Sequence, residues 1–305
     1  MRVFVAGASG AIGRRLVPQL IDAGHEVTGT TTTPSKVDLL HELGAEPVVL
    51  DVLDAAAVER AVIDAKPDAV VHEATALTGL SDFRHFDRSF AQTNRIRTAG
   101  TDALIAAAAA AGAGRFVAQS FASHRFVRSG AWVKTEDDAL DTNPPAAMRE
   151  TVEAMAYLDH ATVAAGGLAL RYGGFYGDRD DEMVAAVRGR KFPIVGDGGG
   201  VWSLIHLDDA AAATVLALEQ GEPGVYHVVD DDPAPVRDWL PVLAEALGAK
   251  PPMRFPRWLA RIVAGEVPVV MATEARGASN AKARRELRWS PRHPSWREGF
   301  RAAYS

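Results

Sequence analysis

The sequence predicts a doubly wound parallel α/β sheet with a small C-terminal lobe interleaved with it. Three observations carry that expectation. Short apolar runs alternate with helical patterns through the first half of the chain. A glycine-spaced turn, Gly7-Ala8-Ser9-Gly10-Ala11-Ile12-Gly13, joins the first run to the first helix. After Ser120 the pattern loosens, and no clean linker follows. Short buried strands separated by helices call for a parallel sheet covered on both faces.

The elements follow in order. Residues 2–6 are a compact apolar run ending at glycine, a buried strand. Residues 11–23 carry apolar side chains at helical spacing and stop at Gly24, a C-terminal signal. Strand 26–31, helix 36–43 stopped by Gly44, strand 46–50, helix 55–65 and strand 69–73 continue the alternation. A long helix fits 94–111, ended by Gly112; its alanine-rich stretch reads as tight packing, since alanine is the best helix former. Strand 115–120 follows, then an aperiodic stretch over 121–142 that reads as loop. Pro144-Pro145 opens a helix to about residue 165. Strands at 167–172, 201–206 and 225–229 and helices at 208–218 and 236–247 complete the pattern, before an irregular tail holding Trp258, Trp289 and Trp296.

Composition excludes several classes of function. Lys+Arg is 33 against 39 Asp+Glu, a formal charge of −6, so long-range attraction to nucleic acid or anionic membrane is not expected. The absence of cysteine removes disulfides, thiolate nucleophiles and Cys-ligated metal sites. No apolar run approaches a membrane span, and the first strand is too short for a signal-peptide core; the expectation is a cytoplasmic protein with a small-molecule substrate.

The glycine turn carries the functional signal. A tight turn, close backbone approach and an open helix N-terminus are what a pyrophosphate needs. With Asp51-Val52-Leu53-Asp54, His72-Glu73-Ala74-Thr75, Thr93-Asn94, Gly100-Thr101, the strand ending in Gln119-Ser120, Leu170-Arg171, Tyr176-Gly177 and Ile205-His206-Leu207-Asp208-Asp209, the chain resembles the extended or atypical short-chain dehydrogenases/reductases, the NAD-dependent epimerase/dehydratase family, over at least residues 1–230. The resemblance implies a Rossmann-type domain over 1–172, also receiving about 201–218, and a mainly substrate-binding lobe over 173–305.

It also implies residue roles. Gly7, Gly10 and Gly13 would hold the dinucleotide, with backbone contacts from Ser9, Ala11 and Ile12. Asp51 would meet the adenine amino group and Val52 the ring; Ala74, Thr75 and Asn94 would run beside the cofactor. Asp51 also has a plain alternative, capping the next turn. The end of the second strand, Thr28 to Lys36, has no carboxylate to hold a ribose diol, while Thr30, Thr32 and Lys36 can donate to a 2′-phosphate, with Arg14 nearby. NADP is therefore favoured over NAD, although the arginine frequent in this loop of NADP-users is absent.

The catalytic pattern departs from the family. The family's Tyr-x-x-x-Lys is nowhere in the chain. Ser120 matches the serine that polarises the substrate oxygen. One alignment of the following helix puts Thr151, Met155 and Asp159 at the tyrosine, lysine and downstream acid positions; the other uses Pro145, Arg149 and Glu153. The first is preferred, because proline cannot replace a proton donor. Tyr176, Tyr172, Tyr157, His124 and His85 are the substitutes the sequence offers, of which Tyr176 joins Ser120 and Thr151 as the candidate catalytic set. Phe121, Phe126, Trp132, Phe175 and Trp202 are candidates for an apolar pocket. The acidic runs at 178–181 and 230–232 read as solvated surface, not metal ligands, and Asp208-Asp209 as a helix cap.

Three functions stand at this point: an oxidoreductase moving hydride to or from a small carbonyl or alcohol with a non-standard acid/base; a dinucleotide-binding sensor or scaffold without catalysis; and a nucleotide-sugar epimerase or dehydratase. Relatives commonly pair through their long helices, so a homodimer is one expectation.

Overall fold

The computed structural model of the 305-residue chain describes residues 1–77, 82–123, 125–179 and 181–305. His124 and Asp180 lie outside the described residues. Seven strands form the central sheet: β1 Arg2–Ala6, β2 Glu26–Thr31, β3 Glu46–Val49, β4 Ala69–His72, β5 Arg115–Phe121, β6 Leu168–Tyr172 and β7 Gly224–Val228. Their order is β7-β6-β5-β4-β1-β2-β3, and every pairing is parallel.

The register explains why these runs are apolar throughout. Val5, Val71, Val117 and Leu168 are successive partners across the sheet and face one core. Phe4, Val70 and Phe116 are partners one residue earlier and face the other. A strand with helices on both faces has no solvent side on which to place polar residues. Helices α1 (Gly13–Asp22) and, late in the chain, Leu207–Gln220 pack the first face; α2 is Val37–Glu42. Helices α3 (Ala55–Ala65), α5 (Thr101–Ala111) and α6 (Arg149–Ala164) pack the second.

Four details differ from the sequence pattern. The long helix starts earlier, as α4 (Phe86–Arg95), and a π turn, Ile96–Gly100, separates it from α5. The run 201–206 is two strands in different sheets: Val201–Trp202 pairs with Ala234–Pro235, and Leu204–His206 pairs with Gly174–Tyr176. The break is Ser203, whose buried Oγ donates to Ala278 O and accepts from its N–H. The sheet also takes in β7, one strand beyond the residues the sequence boundary gives it, because Gly224–Val228 completes the open edge of β6. The tail is more helical than its composition suggests, with helices Arg257–Ala264, Glu266–Thr273, Ala281–Glu286 and Trp296–Tyr304. Trp296 and Trp289 are buried, whereas Trp258 is exposed. Among the described residues no helix is long and apolar enough to cross a membrane.

Candidate functional site

The strand order reverses direction at β1 and β4, and in such sheets the crevice beyond the strand ends there takes the ligand. The glycine turn occupies it. Gly7 has φ +89°, and a Cβ on it would lie 2.7 Å from the backbone of Glu73 and Ala74. A Cβ on Gly13 would lie 2.3 Å from Ala8 O, so only glycine lets α1 start this close to the turn. Ile12 precedes the helix without a side-chain cap; Arg14 and Arg15 N–H already donate to Gly10 O and Ile12 O, so the donors open to a ligand are those of the turn before them. The turn is tied to β2. Gly7 N–H donates to Thr30 Oγ1 (3.1 Å), and Ser9 Oγ donates to Thr31 Oγ1 (2.9 Å). This preformed cradle, lined by Gly10 and Ala11 as well, fits a dinucleotide pyrophosphate.

The adenosine end is more open. Thr30 is buried and its hydroxyl engaged, whereas Thr32 and Lys36 are exposed. Arg14 pairs with Asp178 at 3.1 Å. Asp51 is exposed and its Oδ1 accepts from Leu53 N–H (2.9 Å), closing the turn before α3; Val52 beside it is buried. Ala74 N–H donates to His72 Nδ1, and Thr75 is exposed at the crevice edge.

The residues proposed for proton transfer are held in other work. Thr151 Oγ1 donates to Asp87 Oδ1 (2.7 Å) and accepts from Asn94 Nδ2 (3.0 Å). Asp87 also accepts the N–H groups of Glu150 and Thr151, an anion where the first turn of α6 has unpaired donors. Asn94 is thus part of the α4–α6 contact. Met155, one turn on, lies in an apolar cluster with Phe86, Val152 and Met271, against which Phe121 and Trp202 pack. Tyr176 is fully buried beneath Gly299, edge-on to His206 and Phe300, and its hydroxyl has no partner among the described residues. Burial pushes its phenol upward, so it is packing in the lobe core. Tyr157 sits on the outer face, bonded to Asp102, and His85 is exposed against Asp82. Of the remaining aromatics, Phe126 joins the small Ala122 and Val229 cluster, Phe175 packs on Tyr172, and Trp132 is half exposed under Arg276.

Ser120 is buried at the end of β5, and its Oγ accepts from Arg125 Nη1 at 3.1 Å. Arg125 is fully buried, and its Nη2 reaches Asp159 Oδ2 at 2.7 Å. Asp159 also holds Arg171 through Nε and Nη2, both at 2.8 Å. Asp159 and Arg171 line a groove of about 420 Å³ alongside α6, with Leu140, His160 and Val225. Arg97 lies in the same buried cluster. The sequence reading missed Arg97 and Arg125. A signal existed for the first: Asn94, Arg97 and Thr101 recur at helical spacing, a polar stripe on a buried helix face. Arg125 sits in an aperiodic stretch with no pattern to find it.

Two readings of charged runs need correction. Asp230–Asp232 is not solvated surface. Asp230 accepts Trp296 N–H, Asp231 accepts from Asn280 and Arg284, and Asp232 accepts from Ser295 Oγ, anchoring the last helices. The helix Leu207–Gln220 is capped by His206, which accepts Asp208 N–H, and not by an aspartate. Asp209 instead accepts the N–H groups of Arg292 and His293. His206, Asp209 and His293 are close enough to share a metal ion, but those hydrogen bonds occupy both Asp209 oxygens.

Glu73 gives a pH-dependent signature. It is buried under the glycine turn, where Tyr172 OH donates to its Oε1 (3.2 Å) and itself meets Thr214 Oγ1 (2.5 Å). Burial pushes its carboxyl from 4.5 up to about 8. Between those values the folded chain keeps a proton that the unfolded chain has lost, so the contribution of Glu73 to stability falls as pH rises through that window. Glu73→Gln is expected to raise Tm by about 5 °C at pH 8 and to match the parent near pH 5, checked by thermal melts across that range.

Comparison with known proteins agrees with this geometry. The model of the NAD dependent epimerase/dehydratase family matches residues 3–229. The 3-diazoavenalumate denitrifying reductase of a Streptomyces species is 43% identical over 308 residues, covering 98% of this chain and 99% of that protein. The 2-alkyl-3-oxoalkanoate reductase of Stenotrophomonas maltophilia is 29% identical over 263 residues, covering 82% of this chain and 76% of that protein. The UDP-glucose 4-epimerase of Thermus thermophilus, solved with NAD, superposes with a TM-score of 0.75 at 25% identity, covering 100% of this chain and 98% of that one. From the sheet, the cradle and these likenesses together, the chain belongs to the NAD dependent epimerase/dehydratase family, as an NAD(P)-dependent oxidoreductase of the extended short-chain type.

Proposed function

We propose that this chain is an NADPH-dependent reductase of a small diazo compound, replacing the diazo group by hydrogen. The observation that carries the reading is the emptied proton-transfer position: Thr151 is locked between Asp87 and Asn94, and Met155 lies in an apolar cluster. A carbonyl reductase must protonate the alkoxide it forms. A reduced nicotinamide, when bound, supplies hydride. Hydride on the terminal nitrogen of a diazonium gives a diazene, R–N=N–H, which loses N₂ to leave R–H; the reacting atoms take up no proton, and a phenolate oxygen on the product takes its own from solvent. Support comes from the 43% identical relative, named as a denitrifying reductase of a diazo compound.

The chain's own residues divide the task. Gly7, Ser9, Gly10, Ala11, Ile12 and Gly13 would hold the pyrophosphate, Asp51 and Val52 the adenine, and Ala74 and Thr75 the crevice edge. Thr32 and Lys36 would receive the 2′-phosphate, while Thr30 positions the turn. Ser120 would donate a hydrogen bond to substrate, and the apolar cluster around Met155 would keep water away. Residues 1–172, with 201–218 and β7, would form the cofactor unit, and most of 173–305 the substrate lobe. We further infer a homodimer across the faces of α5 and α6 that carry Asp102 and Tyr157, expected to sediment at twice the monomer mass.

The test is turnover of an ortho-diazophenol with NADPH, following absorbance, N₂ release and the phenol product. One NADPH consumed per N₂ and per phenol is the expected result. NADPH oxidation with a β-keto acid and none with the diazophenol would overturn it; tight cofactor binding without turnover of either would favour the non-catalytic reading. Lys36→Ala is expected to weaken NADPH binding about ten-fold and leave NADH unchanged, measured by nicotinamide fluorescence.

A further inference from the structure

Two guanidiniums converge on one carboxylate beneath the end of β5, and a third, that of Arg97, lies within electrostatic range of it. Arg125 and Arg171 share Asp159 Oδ2. Burial, with Arg171 and Arg125 beside it, pushes His227 down to about 3, so it is neutral and adds no charge of either sign. Glu136 lies beyond His227, accepting its backbone N–H. Arg97 is the surplus cation. It is 8% exposed, its side chain makes no hydrogen bond or ion pair among the described residues, and its Nη1 is buried without a partner. Burial draws Arg97 and Arg125 down to about 10, each also opposed by a neighbouring arginine.

A buried charge is tolerated when something pairs with it. Arg125, donating to Ser120 Oγ, leaves the Ser120 proton free for a further acceptor. The Arg125–Asp159 pair lies on the β5 and α6 side, two strands from the phosphate-binding turn at β1, and Arg97 stands within electrostatic range of that pair and of His72 at the end of β4. We propose that Arg97 is the receptor for a carboxylate of the substrate, seated beside Ser120, and so sets specificity for anionic over neutral substrates. This rests on the reductase reading, because it assigns the anion to that reaction's substrate. A guanidinium suits the role because its planar fork can meet both carboxylate oxygens.

The test compares cinnamate with cinnamamide, one shape with and without the charge, by calorimetric titration of the full chain with and without NADP⁺. The parent is expected to bind cinnamate at least about ten-fold more tightly than the amide. Arg97→Met should erase that preference and Arg97→Lys retain part of it, with NADP⁺ affinity unchanged in both. Equal binding of the two probes by the parent, or a preference that survives Arg97→Met, would overturn the inference. Its failure is separable from failure of the reaction assigned above. Loss of the charge preference in Arg97→Met with no diazophenol turnover by the parent would retain the anion site and reject that reaction; turnover with an unaltered preference would do the reverse.

Discussion

Gly7→Ala is expected to abolish useful cofactor binding and to lower stability together. Two costs add at one Cβ. The residue has φ +89°, a region alanine enters at about 1–2 kcal/mol. The new methyl would also lie 2.7 Å from three backbone atoms of Glu73 and Ala74, which cannot rotate away as a side chain would. Moving them displaces the end of β4, adding about 1–3 kcal/mol. The sum predicts a fall in Tm of roughly 5–10 °C, read by calorimetry. Because the displaced segment is the crevice wall, NADPH affinity should drop about 100-fold or more, read by fluorescence titration. Gly24→Ala is the control: its φ of +81° is alike, but a Cβ there meets nothing within 4 Å. It should show a smaller fall in Tm and bind NADPH normally. Equal losses in the two variants would mean that backbone strain alone, and not the close approach to β4, governs the site.

What the sequence makes legible is whatever repeats or bounds. The strands of the parallel sheet are continuous apolar runs because both faces are covered, so 2–6 and 26–31 are read to the residue. The cradle is legible because a tight turn, a close approach and an open helix end each demand glycine at a set spacing. The start of α4 at Phe86 is hidden because its register is broken by the π turn at Ile96–Gly100, which shifts the inward stripe. The split at Ser203 is hidden because hydrogen bonds to Ala278, 75 residues away, cause it. The catalytic side is the least legible part. Thr151 matches a motif position, yet Asp87 and Asn94 claim its hydroxyl, and both lie more than 50 residues away in sequence. The arginines around Asp159 come from β6, the π turn and the segment after β5, and Asp159 itself from α6; Arg97 lies on a local polar stripe, but no local pattern joins it to the other three.

Asp159→Asn should be the most destabilising single change in this region, even though it preserves shape. The carboxylate is bonded by Arg125 at 2.7 Å and by Arg171 at 2.8 Å, with both partners buried. Removing one member of a buried pair costs about 3–5 kcal/mol, because the remaining charge stays desolvated. Here three arginines would remain around a neutral amide, which predicts a Tm fall of roughly 10 °C by calorimetry. The sign reverses for Arg97→Met. That change removes a guanidinium with no partner among the described residues and relieves its repulsion with Arg125, so it should leave stability equal or raise it by about 1 kcal/mol. The double variant decides whether the cluster acts as one electrostatic unit. Coupled charges predict that Arg97→Met recovers about 1–2 kcal/mol more in the Asp159→Asn background than in the parent. Independent contributions predict simple addition, and in that event the surplus of positive charge could not be what holds Arg97 ready for an anion.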